Sequence, residues 1–126
     1  MAHISRDAAS QVEAIEGEFD GRYETLHGTT VGFETYHTES DMTPLFAGLP
    51  DDACQCVHQG YVIRGRVTFR YTDGSEETIT AGQAYVIPPG HTLVIHPDTE
   101  LVEFSPAEDL AQTMEVVLGN LARLSS

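Results

Sequence analysis

The chain contains no lysine, no tryptophan and only two cysteines among its 126 residues. Its permanent positive charge is six arginines against 20 carboxylates, a formal net charge of −14. Such a surface repels a phosphate backbone and an anionic bilayer, so neither nucleic acid nor membrane is expected as a partner. No apolar run approaches the roughly 20 residues of a bilayer span. The opening stretch, MAHISRDAASQVEAIEGEFDG, lacks the apolar core of a secretory signal. A cytoplasmic location is the resulting expectation. No glycine-rich loop precedes a helical pattern and no G-x-S-x-G elbow occurs, which removes a phosphate cradle and a serine-hydrolase nucleophile.

What is present is strand signal. The stretch GRYETLHGTTVGFETYH alternates and is rich in β-branched and aromatic residues, with Gly28 at a turn, and reads as a hairpin or two short strands. Residues 7–19 carry only Val12, Ile15 and Phe19 and read as a helix or a loose arm. The segment SDMTPLFAGLPDD reads as loop. From Cys54 onward, short strands recur between the turn signals RGR, DGS, AGQ and PDT. The sharpest alternation is RVTFRYT, with Val67, Phe69 and Tyr71 on one face. This spacing predicts an all-β sandwich or small antiparallel barrel. Ser105-Pro106-Ala107-Glu108 reads as a capping box with proline at the first helical position. The apolar stripe Leu110, Met114, Val117, Leu121 and Leu124 follows and is expected to pack on the sheet. The chain is read as one domain over 1–126: an arm (1–20), a barrel (21–104) and a helix (105–126).

Two cysteines and a histidine at a spacing of two, Cys54, Cys56 and His58, would share one face of a strand. Thiols two residues apart on a strand sit about 6.5–7 Å apart at Cα, the far edge of disulfide geometry, so a mutual bridge is the weaker explanation. In HTLVIH, His91 has the phase of Leu93 and Ile95 and should point inward; His96 has the opposite phase. Cys54, Cys56, His58 and His91 would then converge as two sulfur and two nitrogen donors. Thiolate and imidazole suit zinc first, with iron or nickel as alternatives, and not magnesium or calcium. The bland alternative is buried thiols and hydrogen-bonded core histidines. His27 and His37 are outside candidates to replace a cysteine. Tyr71 and Tyr85 are expected to pack with their hydroxyls at the rim. Glu103 is expected to be exposed, and Gly60 to leave room for a ligand.

Residues 54–104 resemble the cupin superfamily. GQAYVIPPG, from Gly82 to Gly90, fits the opening of that family's second motif. Gly65 matches the closing glycine of the first motif, with His58 in the place of its glutamate. The His-x-His pair of the first motif falls near Asp52 and Cys54, and the histidine of the second falls on Leu93, so the usual ligand set is altered. The resemblance implies an antiparallel cupin-type β-barrel, or jelly-roll, with a C-terminal helix, and pairing into a homodimer. It also implies a divalent metal and a small organic ligand or substrate. Two functions follow: a metal-dependent enzyme, or a non-catalytic ligand-binding or sensor module with a closed Cys/His site.

Overall fold

The computed structural model describes residues 2–124. Ten strands, β1 (Gln11–Ile15), β2 (Phe19–Leu26), β3 (Thr29–Tyr36), β4 (Ser40–Asp41), β5 (His58–Arg64), β6 (Arg66–Tyr71), β7 (Glu76–Thr80), β8 (Ala84–Ile87), β9 (His91–Ile95) and β10 (Thr99–Pro106), precede a single α-helix, α1 (Ala107–Leu124). Single turns of 3-10 helix occupy Arg6–Ala8, Thr43–Phe46 and Pro50–Asp52. The expected helix extended to residue 126; residues 125 and 126, like residue 1 of the expected arm, lie outside the described part.

The strands form two antiparallel sheets. One has six strands in the order β1-β2-β3-β10-β5-β8, the other four in the order β4-β9-β6-β7. Neither sheet closes on itself, which corrects the expected barrel. Two of the four edge strands are short or end at proline. Strand β8 runs into Pro88-Pro89, two residues with no N–H to donate, and β4 is only two residues long. The arm also differs from expectation. Residues 11–15 are the edge strand β1, in register with β2 from Gln11 opposite Tyr23 to Ile15 opposite Phe19.

Local chemistry accounts for the turns. Between β2 and β3 only His27 and Gly28 intervene, both with positive φ (49° and 80°), the pair of left-handed residues that a two-residue hairpin turn demands. Asp73 Oδ1 accepts hydrogen bonds from the Ser75 backbone N–H (2.8 Å) and hydroxyl (2.6 Å), closing the turn between β6 and β7.

The inner faces of the two sheets supply the core: Val62, Val67, Phe69, Ile79, Tyr85, Ile87, Ile95 and Leu101 are all buried in one cluster. Helix α1 covers one side, packed on the Thr43–Phe46 turn. Asn120 ties them together, its Nδ2 donating to the carbonyls of Leu45 (2.8 Å) and Ala47 (2.9 Å). The helix buries Thr113, Val117 and Asn120. Leu110 and Met114 of the expected stripe are partly buried, whereas Leu124 at the helix end is 61% exposed. The expected capping box is not used as one. Ser105 is a buried residue of β10, and its hydroxyl is engaged elsewhere, as described next.

Candidate metal centre

Three side chains meet between the sheets. One donor atom each from Cys54, His58 and His91 lies within 4.8 Å of the others, and all three residues are buried. His58 opens β5 on its inward phase, with Gly60 and Val62 buried after it. His91 opens β9 in the facing sheet, opposite Tyr71 of β6. Cys54 is not on a continuous strand. It forms an isolated antiparallel bridge to His91, its N–H donating to the His91 carbonyl (2.8 Å) while its own carbonyl accepts from Gly90 N–H (2.8 Å). The shared strand face expected for residues 54–58 is therefore absent. The backbone bridge, not a period of two, brings Cys54 to His91.

Each imidazole is held by its far nitrogen. His91 Nδ1 donates to the Pro88 carbonyl (2.7 Å), which leaves the lone pair on Nε2. That Nε2 is buried and has no hydrogen-bond partner, and the residue is 0% exposed. A buried acceptor without a partner is costly unless something electron-poor sits against it. His58 Nδ1 is backed by Ser105 Oγ (2.8 Å) and Glu103 Oε1 (3.0 Å), and its Nε2 faces Cys54 Sγ at 3.3 Å. A carboxylate or carbonyl behind each imidazole is the arrangement that orients histidines toward metals. The rings stand edge-on at 5.2 Å, and Phe69 stands edge-on to His91 at 5.6 Å.

The electrostatics follow from burial and these partners. Burial alone would raise the Cys54 thiol, but the imidazoles of His58 and His91 outweigh it and bring the thiol down to about 6. Burial would lower His58, but the Glu103 charge and the Cys54 sulfur outweigh it and raise His58 to about 11. Cys56 has no such help, and burial pushes its thiol up to about 11.

Cys56 is fully buried but stands outside the three-donor group. Its Sγ lies 3.6 Å from the Val57 carbonyl, and it packs in the cluster that contains Phe46, Cys54 and Val117. His27, at the hairpin tip, and His37 are exposed and do not reach the group. His96 lies on the other phase, as expected, with Nε2 3.0 Å from Thr68 Oγ1. Tyr71 is half-buried, its hydroxyl on Glu77 (3.1 Å).

The largest surprise is Glu103, expected on the surface. Register places it inside: β10 pairs Leu101 with Val62 and Glu103 with Gly60, so Leu101, Glu103 and Ser105 share the inner face while Phe104 is exposed. Its Oε2 accepts the Tyr85 hydroxyl at 2.6 Å, and the side chain is 17% exposed. Burial would raise its carboxyl, but the charge and hydrogen bond of His58 outweigh this and hold it below the ordinary value. Tyr85 itself is buried with its hydroxyl inward, not at a rim. Gly60 leaves no room for a ligand, since the Tyr85 ring occupies the place its Cβ would take, with Cε2 2.7 Å from that point. The two-residue spacing of Leu101, Glu103 and Ser105 was a usable signal for this face. The apolar pair Val102 and Phe104 on the opposite phase is the competing signal.

Glu103 carries a testable consequence. Glu103→Gln keeps an acceptor for His58 Nδ1 but removes the charge that makes the ring a strong donor to a cation. Zinc affinity should fall roughly 10–100-fold with the fold intact, as read by competition against a chromophoric chelator and by circular dichroism.

A cavity of about 70 Å³ adjoins the group; its wall includes Cys54, His58 and Glu103 together with Phe69, Leu93 and Met114. That is space for several water-sized positions. The inner surface is mostly apolar and α1 covers one side of it.

No family model matches the sequence, and no curated protein matches it. Solved structures do. An RmlC-like cupin from Shewanella frigidimarina NCIMB 400 is 20% identical over 85% of this chain and 93% of its own, with a TM-score of 0.57. KdgF from Halomonas sp. is 15% identical over 84% of this chain and 93% of its own, at 0.51. The EutQ protein of Clostridium difficile is 17% identical over 71% of this chain and 69% of its own, at 0.51. What they share with this chain is the fold.

Proposed function

We propose that this small cupin fold holds one divalent transition metal, zinc in the first instance, on Cys54 Sγ, His58 Nε2 and His91 Nε2, and presents it to a small organic ligand. The observation that carries the reading is the buried, partnerless Nε2 of His91, aimed at a thiol and a second imidazole that are themselves held in place. The donor set fits a borderline-soft ion such as zinc, iron or nickel. When bound, such an ion acts as a Lewis acid and lowers the pKa of a water beside it.

The chain's own residues do the rest. Pro88 and Glu103 fix the tautomers of the two histidines. Phe69, Leu93 and α1 keep bulk water away from the group. Three ligands leave a tetrahedral ion one position short, and that vacancy favours an active centre over a closed structural site. Cys56, with its thiol pushed up by burial, is assigned to packing beside the centre. The closed-site alternative requires Cys56 as a fourth donor, and for that its thiol must turn away from the Val57 carbonyl.

The test is metal analysis of the purified full chain, followed by cobalt substitution. One equivalent of metal, with a thiolate-to-cobalt charge-transfer band that disappears in Cys54→Ser but persists in Cys56→Ser, is the expected result. No stoichiometric metal after anaerobic reconstitution would sink the proposal. A band lost in Cys56→Ser would favour the closed site.

We also infer pairing of two copies. The outer face of β5, β8 and β10 exposes Tyr61, Ile63, Val86 and Phe104, with Val86 67% exposed on an edge strand. Contiguous apolar surface beside a free strand edge is what a second copy would cover. Light scattering should give twice the 13.8 kDa chain mass, and Val86→Glu should give the single mass. A wild-type monomer at high concentration would refute it.

A further inference from the structure

A second carboxylate lies on the inner wall, away from the metal-ligand group. Glu34 of β3 is opposite Gly21 of β2 and Leu101 of β10. The hydroxyls of Tyr23 (2.6 Å) and Tyr36 (3.3 Å) both donate to one of its oxygens, Oε2. Its other oxygen, Oε1, makes no hydrogen bond among the described residues. Glu34, Tyr23 and Tyr36 line the cavity beside the metal-ligand group and also a second cavity of about 190 Å³. The second cavity runs between the N-terminal strands and α1, walled by Ile15, Phe19, Leu45, Met114 and Leu118. Glu13, Glu18 and Glu39 are its other charged lining residues, no arginine lines either cavity, and the chain has no lysine.

We propose that this second cavity takes the apolar body of a small amine, with the ammonium group bound to Glu34 Oε1. The proposal deepens the small-ligand reading above and names the ligand class. An ammonium group on a hydrocarbon body complements this cavity in charge and polarity. Apolar walls favour a hydrocarbon body. At the cavity junction Glu34 Oε1 makes no hydrogen bond to the described residues and is free to accept one from a ligand. Every charged group lining the second cavity is acidic, so a carboxylate or phosphate ligand is repelled and a cation attracted. Burial and the nearby Glu103 charge push the Glu34 carboxyl up to about 7, so an ammonium beside it would relieve a real cost. The cavity is smaller than the roughly 300–1,000 Å³ of drug-sized ligand sites, so the ligand is a small one.

The experiment is an NMR titration of the isotope-labelled full chain with n-hexylamine, n-hexanol and hexanoate, in zinc-loaded and in chelator-treated protein. Hexylamine should shift the amides of Ile15 and Leu118 in both forms. Hexanoate should bind at least tenfold more weakly. Glu34→Gln keeps an acceptor for both tyrosines, yet should weaken hexylamine about tenfold or more and leave hexanol within twofold. Hexanol matching hexylamine in the wild type, full hexylamine affinity in Glu34→Gln, or no binding of any probe overturns the proposal. Should Glu34→Gln not fold, the wild-type ranking of the three probes decides alone. Amine binding that occurs only with zinc present would place the amine on the metal and also overturn it. Amine binding to a chain that takes up no metal would leave this site standing and remove the metal centre.

Discussion

His91→Ala and His58→Ala should each purify without stoichiometric zinc. Zinc binding supplies roughly 10–16 kcal/mol in four-ligand structural sites, so one ligand's share is about 3–4 kcal/mol, two to three orders of magnitude in affinity. A three-ligand centre has no spare donor to absorb that loss. His91 has the cleaner prediction, because its only side-chain hydrogen bond is from Nδ1 to the Pro88 carbonyl. The backbone bridge between Cys54 and His91 does not involve the ring, so the fold should survive. His58→Ala additionally strips the partner from Glu103 and Ser105 and should cost stability as well as metal. His96→Ala, whose ring faces Thr68 and Glu39, is the control and should bind normally. The measurement is zinc affinity by chelator competition, with circular dichroism for the fold. Wild-type affinity in either His91→Ala or His58→Ala would remove the site.

Gly60→Ala should be strongly destabilising for a single added methyl. Gly60 has ordinary strand geometry, so the penalty is steric and not a matter of φ. The added Cβ would fall on the ring of Tyr85, which is in van der Waals contact with Phe69 at a centroid distance of 5.5 Å and donates to Glu103. The Tyr85 ring cannot retreat without losing one or both. Overpacking costs about 1–3 kcal/mol, and a hydrogen bond to a charged group adds roughly 1.5–3 kcal/mol. A total near 3 kcal/mol is expected from denaturant unfolding, with zinc affinity falling in step because Glu103 loses the phenol that positions it. Tyr85→Phe separates the two effects: it should lower zinc affinity only modestly and leave packing unchanged. A Gly60→Ala variant as stable as the wild type would mean that the ring is not pinned as described.

The tyrosine and glycine pairing recurs across the sheet. Gly32 lies under the Tyr23 ring, as Gly60 lies under Tyr85, and in each case the ring carries its hydroxyl to a carboxylate. Glycines on the inner face therefore act as seats for aromatic rings, and two buried acids are held by phenols rather than by arginines.

Much of this was legible in the residues themselves. Alternation located the strands of the second half, because side chains on a strand point to opposite faces with a period of two, and burial of one face makes that period visible. The same rule put His58, His91 and Gly60 inside and His96 on the other face. Composition fixed the net charge of −14, since charge sums without regard to fold. Other features were decided only by tertiary structure. Whether sheets close depends on pairing between strands far apart in the chain, and here two sheets stay open. ELVEFS alternates either way, with Leu101 and Glu103 on one face and Val102 and Phe104 on the other; the register of β10 against β5 decided which face turned inward. Ser105 could cap a helix or back a histidine, and the choice went to the group that folding carried within 2.8 Å of it. Cys54 and Cys56 have one phase by sequence, yet a backbone bridge to His91 takes Cys54 to the imidazoles and leaves Cys56 among apolar side chains. Local patterning reports which face a residue prefers; only the packed chain decides which groups meet there.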